Sequence, residues 1–181
     1  MLDFSHQPSE EEVSWAAAPR RPYISVIGGG RCTAPQYAMA ERVGRLIAEL
    51  GAVLVCGGLG GVMEAAARGA KEGGGTTLGI LPGYDRSAAN PYIDTTVATG
   101  LGHGRNLIVV SSGDAVVSVG GGYGTLSEIG LARKIERPVM VLGGWRLARD
   151  EGTPGLWYVE TPEEAIAQIR EALGLFDIEP L

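Results

Sequence analysis

Two hydrophobic rhythms alternate along this chain. The first is a set of short, continuous apolar runs: Tyr23-Ile24-Ser25-Val26-Ile27, Ala52-Val53-Leu54-Val55-Cys56, Thr76 to Leu81, Ala115-Val116-Val117-Ser118-Val119 and Pro138-Val139-Met140-Val141-Leu142. Their length and branching predict strands, several of them covered on both faces. Tyr92 to Ala98 alternates weakly and is a further strand candidate. Between these runs, apolar residues recur at helical spacing. Ala40, Val43, Ile47 and Leu50 give one buried face to a helix over about 35–50, opened by Thr33 and Pro35 and stopped at Gly51. The Ala-rich stretch Val62 to Glu72 predicts a second helix, and another covers about 125–135. Thr161-Pro162-Glu163-Glu164 reads as a capped helix start with Ile166, Ile169 and Leu173 as its buried stripe.

The segment from Gly100 to Gly113 admits two readings. Leu107-Ile108-Val109-Val110 followed by Ser111-Ser112-Gly113-Asp114 fits a strand and turn, or a helix. Helix is preferred, because a strand immediately before Ala115 would need an antiparallel partner in an otherwise parallel sheet.

Strand, glycine and helix in repeated order predict an α/β fold with a mostly parallel sheet and helices on both faces. Ligands of such sheets bind beyond the carboxyl ends of the strands. Residues 1–21 are polar and acidic, with Pro8 and Pro19, and read as a mobile tail; residues 22–181 then form a single domain.

Composition narrows the function classes. Lys plus Arg number 15 against 21 Asp plus Glu, a net charge of −6, which argues against nucleic acid or an anionic membrane as partner. The chain has no apolar run of transmembrane length and no signal-peptide pattern at its start. Cys32 and Cys56 are the only cysteines, as expected in a reduced cytoplasmic compartment.

Glycine changes the picture most. There are 29 glycines, about one residue in six, and eleven fall in three clusters: Gly28-Gly29-Gly30, Gly57-Gly58-Leu59-Gly60-Gly61 and Gly120-Gly121-Gly122-Tyr123-Gly124. Each follows a predicted strand. Successive backbone N–H groups without Cβ atoms, opening a helix, suit a phosphate; tight βα connection is the plainer use of the same residues. Known nucleotide fingerprints do not fit. No Gly-Lys pair exists for a P-loop, and Gly28-x-Gly30 is followed by Thr33 rather than by the third glycine of a dinucleotide site.

Among the side chains near these loops, Glu128 reads either as a capping-box partner of Thr125 or as a carboxylate facing a ligand. Arg105, between glycines and Asn106, is either a ligand-binding guanidinium or a surface ion-pair partner. His103 reads as a loop histidine, Cys56 as core, and Glu64 as a first-turn acid favoured by the helix dipole.

The stretches Ile27-Gly28-Gly29-Gly30, Cys56-Gly57-Gly58-Leu59-Gly60-Gly61-Val62-Met63-Glu64, Gly73 to Pro82, and Gly120-Gly121-Gly122-Tyr123-Gly124-Thr125-Leu126-Ser127-Glu128 carry a resemblance. Over about residues 22–145 the chain resembles the LOG (Lonely Guy) superfamily, once labelled lysine decarboxylases. It is most similar to the bacterial branch that contains molybdenum-cofactor carrier proteins. The last stretch looks like the family signature Pro-Gly-Gly-x-Gly-Thr-x-x-Glu.

The resemblance implies a Rossmann-like three-layer sandwich, a helix over 107–112, and a homo-oligomer, dimer or tetramer. It also implies phosphoribohydrolase chemistry, the release of a free base and ribose 5-phosphate from an AMP-like nucleoside 5′-monophosphate. The catalytic pair would be Arg105 and Glu128. Phosphate or nucleotide would lie on Gly29, Gly30, Gly58, Gly121, Gly122, Tyr123, Gly124 and Thr125, with Glu64 and Asn106 as accessory residues. No metal and no required cofactor are expected. The alternative is a non-catalytic carrier or sensor that binds a nucleotide or the molybdenum cofactor.

Three positions depart from the family pattern. Asn106 stands where the enzymes have Lys, Gly120 replaces the signature Pro, and Glu64 replaces a Gly. Decarboxylation by a pyridoxal cofactor would need a Schiff-base lysine. The only lysines, Lys71 and Lys134, lie late in predicted helices.

Overall fold

A computed structural model describes residues 21–147 and 154–175. Seven strands form one sheet: β1 (Tyr23–Gly28), β2 (Val53–Cys56), β3 (Thr76–Leu81), β4 (Thr95–Ala98), β5 (Ala115–Val119), β6 (Val139–Leu142) and β7 (Leu156–Val159). Five helices accompany them: α1 (Ala34–Glu49), α2 (Val62–Glu72), α3 (Arg105–Ser112), α4 (Tyr123–Lys134) and α5 (Pro162–Leu173). Every strand pairing is parallel, in the order β4-β3-β2-β1-β5-β6-β7. The expected α/β Rossmann-like sandwich is therefore present, with a sheet that is entirely parallel. The segment 105–112 is helical, as preferred. Strand β4 is shorter than the alternation suggested, and β7 was not anticipated.

Alternate residues of the buried strands feed two separate cores. Ile24, Val26, Leu54, Cys56, Val117, Val119, Met140 and Leu142 pack with α1, α2 and α5. Ile27, Val55, Ile80, Val116, Val139 and Val141 pack with Val109 and Val110 of α3 and Ile129 and Ala132 of α4. This period-two division is what a sheet covered on both faces requires. Ser25, Thr77 and Ser118 are polar strand residues buried among them, and the Ser25 hydroxyl donates to Val109 O at 2.7 Å, tying β1 to α3.

Local chemistry sets the helix starts. Thr33 and Gln36 form a reciprocal capping box on α1, with Thr33 N donating to Gln36 Oε1 at 3.0 Å. Helices α1 and α2 approach closely because Gly44 and Gly69 lack side chains; a Cβ at either would overlap a carbonyl of the other helix, Ala66 O or Glu41 O. Residues 1–20 of the expected tail lie outside the described residues. Arg21 is held, its Nε donating to Gly51 O at 2.6 Å and Nη1 to Thr76 Oγ1 at 3.0 Å.

The chain adds β2, β3 and β4 on one side of β1, then crosses back to place β5 on the other. That reversal opens a crevice at the carboxyl ends of β1 and β5, where parallel sheets of this kind receive ligands. Among the described residues, no helix is long and apolar enough to cross a membrane.

Candidate functional site

Beyond the carboxyl ends of β1, β2 and β5 lies a cavity of about 320 Å³. Gly28, Gly29 and Gly30 form one wall, Gly57, Leu59 and Met63 another, and Gly122, Gly124, Thr125 and Glu128 of the α4 start a third; Arg105 and Asn106 of α3, with His103 from the turn before it, close the cavity. All three glycine clusters thus meet at the switch point. Val62 N donates to Gly29 O at 3.0 Å and joins the second cluster to the first.

The glycines divide into two kinds. Gly120 and Gly121 have φ of +55° and +95°, and a Cβ on Gly121 would overlap Thr125 Oγ1. Gly58 also has a positive φ, +71°, and packs against Leu81 and Gly79. These are required by the turns themselves. Gly122 and Gly124 are different: neither has a positive φ, and a Cβ on either meets nothing within 4 Å. Packing does not ask for glycine there. Both line the cavity at the first turn of α4, where Tyr123, Gly124 and Thr125 have no carbonyl one turn back to accept their N–H groups. Chemically, such an arrangement can receive an anion at a positive helix end.

Arg105 and Glu128 converge in this cavity. Both are buried, at 9% and 6% exposure, and Arg105 Nη1 lies 3.8 Å from Glu128 Oε1. The same Nη1 donates to Asn106 Oδ1 at 2.5 Å. The guanidinium rests over Gly57, where a Cβ would come within 2.5 Å of Nη2. Arg105 Nε is buried and has no partner among the described residues. Burial pulls the Arg105 pKa down, opposed by the neighbouring Glu128 and Cys56. Burial likewise pushes the Glu128 carboxyl up to about 7, and Arg105 offsets this only in part. Cys56 is buried at the end of β2, and its pKa is raised by desolvation to about 11.

The capping-box reading of Thr125 and Glu128 is overturned. The N-cap of α4 is Gly122, with no side-chain cap, so Thr125 lies inside the first turn and Glu128 turns to the cavity. The surface-pair reading of Arg105 fails for the same reason: the residue is buried. Of the sequence candidates, Gly29, Gly30, Gly122, Gly124, Thr125, Arg105, Asn106 and Glu128 line the cavity; Gly58, Gly121, Tyr123 and Glu64 do not. Glu64 sits in the first turn of α2, half-buried, close enough to Cys32 to raise its pKa after desolvation. Tyr123 is 81% exposed and packs on Trp145, whose indole donates to Gly122 O at 3.0 Å.

Sequence reasoning passed over Gly57, which makes room for Arg105. Its signal was its position, first after β2 in a Gly-Gly pair. Among the described residues, no cluster of three or more His, Cys, Asp or Glu side chains could hold a metal ion. Lys71 pairs with Asp94 at 2.8 Å.

Comparison with known proteins identifies the family of this fold. Residues 21–166 match the SLOG cluster4 family, and the chain belongs to it. An uncharacterized protein of Archaeoglobus fulgidus is 48% identical over 149 residues, spanning 79% of this chain and 91% of that one. The molybdenum cofactor binding protein of the phototrophic bacterium Rippkaea orientalis superposes with a TM-score of 0.79 at 39% identity, covering 85% of this chain and 98% of the other. The Moco carrier protein of Chlamydomonas reinhardtii superposes with a TM-score of 0.78 at 37% identity, covering 87% and 100%.

Proposed function

We propose that this member of the SLOG cluster4 family binds the molybdenum cofactor, a phosphorylated pterin, and carries it without cleaving it. The carrying observation is the open cradle at Gly122 and Gly124, glycine where the fold does not need glycine, beside a buried guanidinium with an unused N–H. That donor set suits a phosphate ester: backbone N–H groups of the α4 start for the phosphate oxygens, and Arg105 as a second donor. The solved relatives named for binding or carrying the cofactor support the choice of cargo. Asn106 supports holding over turnover, because it occupies the Arg105 donor that would otherwise serve Glu128 or a leaving group.

The reading extends to the rest of the chain. Residues 22–181 form one nucleotide-type binding domain that works in the cytoplasm as a homo-oligomer, dimer or tetramer. Its partner is a small molecule rather than a nucleic acid or a membrane.

Phosphoribohydrolase activity, which the sequence alone puts first, remains as the second reading. Its support is the meeting of Arg105 and Glu128 in the cavity. A carboxylate at that point would stabilise oxocarbenium character on a ribose while the glycosidic bond breaks.

One pair of incubations separates the two. The protein is mixed anaerobically with molybdenum cofactor released from a molybdoenzyme, and separately with AMP and other nucleoside monophosphates. Co-elution of cofactor with protein on gel filtration, with nucleotides recovered intact by chromatography, is the expected result. Free base and ribose 5-phosphate appearing with wild type and absent with Glu128→Gln would establish the hydrolase instead.

A further inference from the structure

We infer that Asn106 is a positioning residue: by holding the Arg105 guanidinium off Glu128, it leaves that carboxylate without a hydrogen-bonded cation, so that binding a phosphate ester in the cavity takes up a proton at Glu128. The inference rests on the phosphate-binding reading above.

The geometry is a competition for one donor. Arg105 Nη1 makes a short hydrogen bond to Asn106 Oδ1, 2.5 Å, and stands 3.8 Å from Glu128 Oε1, beyond hydrogen-bond range. No described side chain donates a hydrogen bond to the Glu128 carboxylate. Glu128 is nevertheless buried, one turn along α4 from the amides of the cradle, in the same cavity. An arriving phosphate dianion and an ionised Glu128 would repel each other across a poorly solvated space. The carboxyl escapes by protonating, as paired carboxylates sharing a site do.

The surrounding groups do not remove this conflict. Helix α3 supplies Arg105, already engaged by Asn106, and the turn before it supplies His103, which is exposed across the cavity. Strand β2 ends in Cys56, a thiol kept neutral by burial. The carboxyl ends of β1, β5 and β6, packed against α4, carry apolar residues, Ser118 and glycine and no titratable side chain. Desolvation already pushes the Glu128 carboxyl up to about 7 without ligand, so little further change is needed to protonate it near neutrality.

The probes are ribose 5-phosphate, which has no glycosidic bond to break, and AMP. Each is titrated calorimetrically at about pH 8 in two buffers of different ionisation enthalpy, which counts protons exchanged on binding. Wild type is expected to take up nearly one proton per ligand, and Glu128→Gln none. Affinity is then measured from about pH 6 to about pH 8.5; it should fall by up to about tenfold per pH unit above neutrality in wild type and stay level in Glu128→Gln. Asn106→Leu keeps the side-chain size but loses the acceptor. Arg105 is then free to pair with Glu128, and the fall should begin at lower pH. The ligand's own phosphate titrates near 6 and is common to all three proteins.

Proton uptake that persists in Glu128→Gln overturns the inference, as does an Asn106→Leu profile that coincides with wild type. Binding that is independent of pH in wild type defeats this inference and leaves the phosphate reading standing. Absence of binding by both probes at every pH defeats the two together.

Discussion

Replacing Glu128 with Gln is expected to remove a pH dependence from the folding equilibrium. In the folded protein, burial raises the Glu128 carboxyl to about 7, with Arg105 drawing it back only in part, against an ordinary value of 4.5. The unfolded chain exposes the group, so the folded state binds this proton the more tightly. Its contribution to stability is then fully present below the unfolded value, declines as pH rises from about 4.5, and is gone above about 7. A rise from 4.5 to about 7 corresponds to on the order of 3 kcal/mol. The side chain is only 8% exposed, so solvent screening takes little from that figure.

Urea unfolding of both proteins at a series of pH values from about 4.5 to about 8 measures the effect as a difference, which cancels the carboxylates common to both. Those include Asp85 and Glu163, held below the usual range by hydrogen bonds from Ser87 and Arg42. The stability of Glu128→Gln relative to wild type should climb by on the order of 3 kcal/mol across the window. The offset between the two curves also contains the loss of Arg105's charged neighbour, so the slope is the diagnostic quantity. A difference that stays level across the series refutes the reasoning, because it means that Glu128 ionises as readily in the folded protein as in the unfolded chain.

Four further outcomes follow from the glycines and the caps. Gly124→Ala should gain up to about 1 kcal/mol of helix propensity and Gly122→Ala, at the α4 N-cap, should lose no more than about 1 kcal/mol, yet both should bind AMP or ribose 5-phosphate at least about tenfold more weakly by calorimetry. Gly121→Ala, by contrast, meets both a φ of +95° and Thr125, and should lose about 1–3 kcal/mol in urea unfolding. Gly44→Ala places a methyl on Ala66 O between α1 and α2 and should cost at least about 1–3 kcal/mol, seen as a lowered thermal midpoint. Thr33→Ala removes the α1 capping box and should cost about 1 kcal/mol in the same assay.

Much of the fold was legible because it is written in neighbours along the chain. Thr33, Pro35 and the stripe of Ala40, Val43 and Ile47 define α1 within one segment, and each continuous apolar run declares a strand buried on both faces. β7 escaped because it is an edge strand with half-buried Trp157 and Tyr158 at its centre, so it lacks the continuous branched apolar run that marked the equally short β2 and β6. Of the two readings of Thr125 and Glu128, the capping box fails for a related reason. The Thr-x-x-Glu pattern was real, but the helix begins two residues earlier, at Tyr123, and a pattern does not say where the chain turns.

The site divides along the same line. The amino-acid sequence by itself determined that three glycine loops end strands of a parallel sheet, and, through its resemblance to a family, singled out Arg105 and Glu128. Only the tertiary structure decided that these two meet in one cavity, because their encounter depends on the crossover that lays β5 beside β1. It also decided which glycines serve the turns and which leave room for a ligand. Gly121 and Gly122 are adjacent and chemically identical; a Cβ on one would strike Thr125, and on the other would meet nothing. What surrounds a residue is contributed by segments distant in sequence, and the space between those segments exists only once the chain has folded.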